Sequence, residues 1–219
     1  GHTHLLSEKE PAAILFGAPP VTNVIGFDNT TFFSWFYSAG GSDLYDEMWA
    51  ESNLNIQGFI LQTSGPRAFG WFRKPFSSLD ELKGKRIRDS FDFTNEIHKE
   101  IGLSVVPMKA ADVLPELEKK KLDGASWCCP ASDLMLGLHG SVNNYIQGIS
   151  KNILNADLYL NKDVYEKLNL QQRKAIELAA AASIIRHSSA LIYENGKALK
   201  ELLEDHNVIL NNTPREYFE

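Results

Sequence analysis

The stretch that decides the fold runs from residue 79 to residue 88 and reads LDELKGKRIR. Ser78 and Glu81 have the spacing of a capping box, which predicts a short helix that begins at this point. Gly84 follows, and glycine readily takes the left-handed conformation that ends helices. The next residues predict a strand over 86–89. The stretch therefore indicates one helix that leads directly into one strand.

The same alternation of strand and helix continues on both sides of this stretch. Further strands are predicted over 66–72, 103–107 and 122–127. Further helices are predicted over 93–101, 112–121 and 131–138, each directly after a predicted strand. Helices that alternate with strands at this spacing are typical of parallel βαβ units. We therefore expect an α/β fold.

The last third of the chain predicts one very long helix. Asn169 and Gln172 have the spacing of a helix cap, and the helical pattern continues to about Asp205. At 1.5 Å per residue, such a helix is about 50 Å long, which exceeds the width of one small lobe, so we expect it to span two lobes. The remaining predicted elements are a buried strand over 12–16, a helix over 43–53, and strands over 55–63, 156–161 and 207–210.

Composition limits the class of protein. The 219 residues are 43% hydrophobic and 23% charged, which is ordinary for a globular protein of one large domain or two small lobes. The net charge of −6 makes nucleic acid an unfavourable partner. No apolar run in the sequence approaches the roughly 20 residues that span a membrane. The chain begins Gly1-His2-Thr3-His4 without the features of a signal peptide, so we expect any such peptide to have been removed.

Arg67 and Arg88 are the strongest candidates for a binding site. Each lies in a short predicted strand, and the two strands are close enough in the chain to fall in one sheet. A guanidinium group is planar, permanently charged and matched to a carboxylate by two parallel hydrogen bonds. Two arginines that converge on one cleft therefore indicate a carboxylate ligand. The alternative is that Arg88 pairs with Asp89 or Asp112 on the surface.

Cys128 and Cys129 are the only cysteines, and neighbouring cysteines rarely form a disulfide because its geometry is strained. Either is a candidate nucleophile, since a helix N-terminus stabilises a thiolate and a helix is expected to begin at Pro130. The six histidines show no recognised arrangement with these cysteines, so a cysteine-dependent enzyme is the weaker alternative. His2 and His4 give only a weak signal for zinc. The sequence contains no phosphate-binding loop, no GxGxxG and no GxSxG motif.

Several segments along the chain have motifs in common with one known family. They are GWFRKPF at 70–76, LDELKGKRIR at 79–88, LDGASW at 122–127 with Ser132 and Asp133 just after it, and Leu160-Asn161-Lys162 before the long helix. Together these segments resemble the substrate-binding proteins of TRAP transporters, of the dicarboxylate-receptor type. The resemblance covers roughly residues 10–205, and the second motif is the most specific.

The resemblance implies a periplasmic receptor of two α/β lobes, with a cleft that closes on a small organic acid. It assigns residues 1–64 and 153–193 to lobe one, which would be incomplete, and residues 65–152 and 194–219 to lobe two. The partners that it implies are a carboxylate ligand and the membrane subunits of the transporter. We expect no nucleic acid partner, no cofactor, no metal and no enzymatic activity.

The resemblance also implies roles for single residues. Arg88 corresponds to the arginine that clamps the ligand carboxylate in the family. Arg67 corresponds to a second arginine that contacts the ligand in many members. Ser126, Trp127 and Cys128 lie at the end of the strand that supplies further ligand contacts.

The chain departs from the family pattern in three ways. It is shorter, and we expect the N-terminal part of lobe one to be absent. A keto-acid subgroup binds its ligand through a metal ion, with Gln at the position of Arg67, Glu at that of Ser126 and Glu near Leu154. None of these is present here, so we expect recognition without a metal. The adjacent pair Cys128 and Cys129 is unusual in the family, and a sensor or scaffold lobe that binds no small molecule is a further alternative.

Overall fold

The structure is a computed structural model that describes residues 2–18, 28–64, 67–89, 92–147 and 154–218. The chain divides into two compact units. The first unit comprises Gly1–Gly65 and Lys151–Ile192, and the second comprises Pro66–Ser150 and Tyr193–Glu219. Each unit is described below by itself.

The secondary structure of the described residues is as follows. The helices are α1 (Ala13–Gly17), α2 (Asn29–Ser38), α3 (Gly41–Glu51), α4 (Asp92–Glu100), α5 (Ala110–Glu118), α6 (Pro130–Leu136), α7 (Lys162–Glu166) and α8 (Leu170–Glu204). The strands are β1 (Ile56–Thr63), β2 (Gly70–Phe72), β3 (Arg86–Arg88), β4 (Ser104–Val105), β5 (Gly124–Ala125), β6 (Asn144–Gln147), β7 (Asn155–Asn161) and β8 (Ile209–Asn212). Short 3-10 turns lie at Thr3–Leu6, Leu79–Leu82, Leu138–Gly140 and Arg215–Phe218.

The first unit is built around an antiparallel pair of strands, β1 and β7. Helices α1, α2 and α3 bring aromatic side chains together, among them the buried Phe16, Phe32 and Trp49. Burial of each such side chain contributes about 1.5–3 kcal/mol to stability. The buried carboxylate of Asp157 accepts hydrogen bonds from the hydroxyl of Tyr45 at 2.9 Å and from that of Thr3 at 2.8 Å, so its charge is not left without donors.

Within the described residues, the second unit contains a six-stranded sheet in the order β4-β3-β5-β2-β6-β8. Strand β3 is parallel to β4 and β5, and β6 is parallel to β8, whereas β2 is antiparallel to both β5 and β6. The sheet is therefore mixed, not wholly parallel as the βαβ pattern predicted. Successive side chains of a strand point to opposite faces, so Trp71 packs in one core cluster with Tyr145 while Phe72 packs in another with Ile146.

Helix α8 confirms the predicted long helix. The Asn169 side chain accepts a hydrogen bond from the backbone N–H of Gln172 at 2.9 Å, and the Gln172 side chain accepts one from the backbone N–H of Asn169 at 3.0 Å. These two hydrogen bonds form the predicted cap. Residues up to Ile192 belong to the first unit, and those from Tyr193 onward belong to the second. By length and composition α8 is also apolar enough to cross a membrane, which corrects the expectation that no such run exists. Core helices of soluble proteins meet the same test, so this property is weak evidence of a span.

Three local predictions were wrong. The run 12–16 forms part of helix α1 instead of a strand, because hydrophobic periodicity does not separate the two states over so few residues. Of the strand predicted over 66–72, the last three residues form β2, residues 67–69 lie before it, and residue 66 lies outside the described residues. The capping box at Ser78 does not form, since the amide and hydroxyl of Ser77 donate to Glu81 and the backbone makes a 3-10 turn.

Gly70 has a backbone conformation that only glycine adopts easily. Its φ is +148°, and an added Cβ would lie 2.7 Å from the carbonyl oxygen of Ala125 in the neighbouring strand. We expect Gly70→Ala to lower the free energy of unfolding by about 2 kcal/mol or more, because backbone strain and a clash both act at the β2–β5 pair. Urea unfolding measures this change.

Gly196→Ala is the matched control for Gly70→Ala. Gly196 lies within α8, where an added Cβ meets no described atom within 4 Å. Alanine is a better helix former than glycine, so we expect this variant to be as stable as the parent or more stable. Equal loss of stability in both variants would contradict the conformational role of Gly70.

Candidate functional site

Arg88 is the last residue of β3, and it is almost entirely buried, at 5% exposed. The parallel pairing of β3 with β5 sets Arg88 opposite Ala125, immediately before Ser126. Its Nη1 donates to the Ser126 carbonyl oxygen at 2.8 Å, and its guanidinium carbon lies 4.5 Å from the centre of the Trp127 ring. Among the described residues, no carboxylate oxygen lies within 4.0 Å of the Arg88 guanidinium nitrogens, the distance that defines an ion pair.

The electrostatics of Arg88 follow from this burial. Loss of hydration lowers the pKa of Arg88, Arg67 lowers it further, and Asp89 opposes the shift. An arginine stays protonated in proteins, so the lowered pKa reflects an electrostatic cost of holding the charge in this position. A bound anion would offset that cost.

Arg67 contacts the same segment of chain. Its Nη2 lies 3.0 Å from Ser126 Oγ, 2.9 Å from the Trp127 carbonyl oxygen and 3.5 Å from Asp89 Oδ1. Like Arg88, the residue is buried. One nitrogen therefore contacts three oxygen atoms, and these contacts hold the guanidinium group against the segment that follows β5.

Asp89 directly follows Arg88, and it is buried. Its Oδ1 lies 3.5 Å from Arg67, and its Oδ2 lies 3.4 Å from His98 Nδ1. The ring of His98, on α4, packs 5.2 Å from that of Phe69, and burial lowers the pKa of His98, which favours the neutral imidazole. Surface pairing of Arg88 with Asp89, considered above as an alternative, is therefore wrong. The buried ion pair of Asp89 and Arg67 was not predicted from the sequence, although an acidic residue close to two arginines of predicted strands was a signal for it.

Asp133 is a second buried carboxylate in this part of the unit. It accepts from the Cys128 amide at 3.0 Å and from Trp71 Nε1 at 2.8 Å. Burial raises the pKa of Asp133 to about 6, while these two hydrogen bonds and the charge of Arg67 oppose the shift. The carboxylate fixes the segment between β5 and α6, which carries several of the predicted site residues.

The three residues after Ser126 have distinct surroundings. Trp127 is half-buried, and its Nε1 donates to Ser132 Oγ at 3.0 Å, which helps to hold the ring against Arg88. Cys128 and Cys129 are both free thiols, and the Cys128 thiol donates to Cys129 with a sulfur separation of 3.7 Å. This hydrogen bond lowers the pKa of Cys129 to about 7 and raises the pKa of Cys128.

All residues predicted to contact a ligand lie in the second unit: Arg67, Arg88, Ser126, Trp127 and Cys128. The first four of these contact one another directly. Within the described residues, Cys128 is linked to them through the chain, and its backbone amide donates a hydrogen bond to Asp133. The structure thus gathers these residues, and ligand binding by them stays a prediction.

The residues around Arg67 do not fit a metal ion. The oxygen atoms of Ser126, Trp127 and Asp89 that would ligate a cation lie within 3.5 Å of the Arg67 guanidinium nitrogen, so a metal would have to displace that positive group. In the part of the chain that the structure describes, no group of three or more His, Cys, Asp or Glu side chains is placed to hold a metal ion.

Two of the cavities that the described residues form lie elsewhere. One of about 450 Å³, in the second unit, is lined by residues 72–76 and Lys85 among others. Another of about 570 Å³, in the first unit, is lined by residues that include Tyr45 and Tyr165. Neither is lined by the two arginines of the candidate site.

The model of the family described as bacterial extracellular solute-binding protein, family 7 (DctP), matches residues 25–218. The chain belongs to this family. Its membership in the DctP family confirms the resemblance to TRAP substrate-binding proteins. The family and its structural neighbours are solute-binding proteins, not enzymes, in agreement with the expectation from the sequence.

Relatives of known sequence or structure support the fold of this DctP chain. The monocarboxylate 2-oxoacid-binding periplasmic protein all3028 of Nostoc is 24% identical over 206 residues, which are 93% of this chain and 55% of that protein. A TRAP periplasmic solute-binding protein from Pseudoalteromonas atlantica, solved with sodium and pyruvate, is 26% identical with a TM-score of 0.81, over 98% of this chain and 63% of its own. A TRAP periplasmic solute-binding protein from Colwellia psychrerythraea, solved with calcium and pyruvate, is 23% identical with a TM-score of 0.85. The match covers 99% of this chain and 65% of that protein.

These likenesses confirm the expected fold class, a two-lobed α/β fold with a long C-terminal helix. They also show how much of the relatives this DctP chain covers. It spans about half the length of the curated relatives that it matches.

Asp133 makes stability dependent on pH. Its folded pKa of about 6 is raised above the ordinary 3.8, so its stabilising contribution is present below the ordinary pKa and is lost as pH rises through the folded one. The shift of roughly two units corresponds to about 3 kcal/mol. We expect the stability of the parent protein to fall relative to that of Asp133→Asn between pH 4 and pH 6. Urea unfolding across this range measures the difference, and a difference that does not vary with pH would contradict the assignment.

Proposed function

We propose that this DctP-family chain is a periplasmic receptor that binds a small organic acid and delivers it to the membrane subunits of a TRAP-type secondary transporter. In this proposal Arg88 binds the ligand carboxylate directly. Arg67, Ser126, Trp127 and Cys128 surround the ligand or hold Arg88 in position. The proposal includes no cofactor and no chemical step.

The observation that carries the proposal is the buried guanidinium of Arg88. A buried charge is costly unless it is paired, and the described residues provide no carboxylate within ion-pair distance. The Ser126 carbonyl takes one of the five N–H donors of the guanidinium group, and the Trp127 ring faces it. A cation–π contact contributes about 0.5–2 kcal/mol, which is less than the several kcal/mol needed to desolvate a charge. A carboxylate fits the remaining donors and supplies the missing counter-charge.

The relatives support this class of ligand. Pyruvate, which is bound in the Pseudoalteromonas and Colwellia proteins, is a carboxylate, and the Nostoc relative is described as a 2-oxoacid-binding periplasmic protein. Both solved proteins also hold a cation, whereas Arg67 here engages the oxygen atoms that a cation would need. We therefore propose direct recognition of the acid by arginine.

The rival function, a cysteine-dependent enzyme that uses Cys128 or Cys129, has less support. Family membership indicates a solute-binding protein. Within the described residues, neither thiol is hydrogen-bonded to a histidine, which a cysteine nucleophile commonly needs as its base. The lowered pKa of Cys129 comes first from the neighbouring thiol.

We further propose that the chain forms two lobes with the division expected from the sequence. Lobe one would comprise residues 1–64 and 153–193, and lobe two would comprise residues 65–152 and 194–219. The two compact units, with boundaries within two residues of these, support the division.

The proposal predicts that organic acids stabilise the protein through Arg88. In a thermal-shift screen of carboxylates, a ligand at 100 times its dissociation constant should add about 2.7 kcal/mol to the free energy of unfolding. We expect Arg88→Ala to abolish the shift, because the variant lacks the counter-charge for the carboxylate.

Arg86→Ala is the matched control for Arg88→Ala. Arg86 lies on the same strand two residues earlier and is exposed, so its removal changes the net charge equally without changing the buried cluster. We expect its ligand shift to equal that of the parent protein. Absence of any shift in the parent, or a shift that survives Arg88→Ala, would overturn the proposal.

Binding of the acid should not require a metal ion. We expect the dissociation constant, measured by isothermal titration calorimetry, to be the same in excess EDTA and in millimolar calcium or sodium, because the Arg67 guanidinium already engages the oxygen atoms of Ser126 and Trp127. Binding that disappears with EDTA and returns with calcium would contradict recognition by arginine alone.

A further inference from the structure

Asp89 is the buried residue of the cluster that the proposed function does not use. It is 1% exposed, and it directly follows Arg88 at the end of β3. Its two carboxylate oxygens lie 3.5 Å from Arg67 Nη2 and 3.4 Å from His98 Nδ1. A carboxylate of the protein itself thus already stands beside one of the two arginines.

The charges of the cluster can be counted from these contacts. Arg67 and Asp89 neutralise each other as an ion pair. His98 adds no charge near pH 7, since burial lowers its pKa below the ordinary value. Among these four residues, only the charge of Arg88 then remains without a carboxylate partner, and a single ligand carboxylate can balance it.

A second ligand carboxylate would meet negative charge instead of a cation. Asp133 is buried in the same part of the unit, and its oxygens accept from two neutral donors, the Trp71 indole and the Cys128 amide, so its charge is not cancelled by an ion pair with a described residue. Like charges repel strongly where water is excluded, so a dianion is disfavoured in this cluster.

We propose that Asp89 is a specificity-determining residue that restricts the receptor to acids with one carboxylate. By pairing with Arg67, it withdraws the second guanidinium from the ligand and leaves Arg88 as the single carboxylate site. The inference rests on the proposed function, because it specifies the charge of the acid that binds at Arg88.

A purely structural role for Asp89 makes a different prediction. If the carboxylate only held Arg67 in position, its loss would weaken the binding of all acids by a similar factor. If it selects by charge, its loss changes the ratio of affinities for acids that differ in charge. The informative quantity is therefore the ratio of two dissociation constants, which a uniform loss of affinity leaves unchanged.

The test compares 2-oxopentanoate with 2-oxoglutarate, which share a five-carbon 2-oxo chain and differ in the second carboxylate. Pentanoate and glutarate form a second such pair without the oxo group. Titration calorimetry of the parent chain should give a dissociation constant at least about tenfold lower for the monocarboxylate of whichever pair binds. Asp89→Asn, which keeps the shape of the side chain and removes its charge, should reduce that ratio by about tenfold or reverse it.

Asp112→Asn is the control, because Asp112 is an exposed acid of the same unit, and we expect its ratio to equal that of the parent. A parent protein that binds the dicarboxylate as tightly as the monocarboxylate would overturn the inference, and this outcome needs no variant. A ratio that is equal in the parent and in Asp89→Asn would overturn it as well.

Failure of this inference is distinguishable from failure of the proposed function. If acids bind and Arg88→Ala abolishes the binding, but the parent protein does not prefer the monocarboxylate, only the proposed role of Asp89 fails. If neither pair binds and no other carboxylate stabilises the parent protein, the proposed function fails and the inference fails with it.

Discussion

The parallel pairing of β3 with β5 is the interaction on which the candidate site depends. It sets Arg88 beside Ala125, and the Ser126 amide then donates to the Arg88 carbonyl at 2.8 Å. Ser126 and the next residue supply contacts to both arginines. On its other side, β5 pairs with β2, and this pairing needs glycine at position 124, because a Cβ there would lie 2.5 Å from the carbonyl oxygen of Trp71. Two short strands therefore bring the charged groups together.

The burial of two guanidinium groups constrains the surrounding residues. Arg67 is accommodated by oxygen atoms and by Asp89, whereas Arg88 has a carbonyl oxygen and an aromatic face. The two arginines are similar in sequence context, but among the described residues only Arg67 has a carboxylate within ion-pair distance. This asymmetry is the physical basis for the assignment of the ligand to Arg88, and it also explains why the acid at position 89 bears on ligand charge.

Sequence patterns predicted the parts of the fold that depend on local chemistry. The cap of Asn169 with Gln172 forms as expected, and Gly84 has the positive φ expected after a helical turn. The short apolar run at 12–16 was assigned to the wrong state, since so short a run does not distinguish helix from strand, and in the structure it packs in the aromatic cluster as a helix. Strand β6 had no signal strong enough to predict, because its pairing with β2 and β8 involves residues distant in the chain.

The candidate site could be predicted only in part for the same reason. The motif around Arg88 identified the strand and the arginine, but burial of Asp89 against Arg67 and His98 depends on α4 and on the segment before β2. The sequence shows that an acid follows an arginine, and it does not show that both side chains are buried. That the adjacent thiols at positions 128 and 129 are unusual in the family stays a prediction, and the structure places their sulfur atoms 3.7 Å apart.

The central claim is that the Arg88 guanidinium is the carboxylate site of a solute receptor. A crystal structure of the chain with an acid that stabilises it tests this claim most directly. The claim predicts both carboxylate oxygens within hydrogen-bond distance of the Arg88 guanidinium nitrogens, with Arg67 still paired with Asp89. An acid bound elsewhere, such as in the cavity beside residues 72–76, with Arg88 making no contact to it, would contradict the claim.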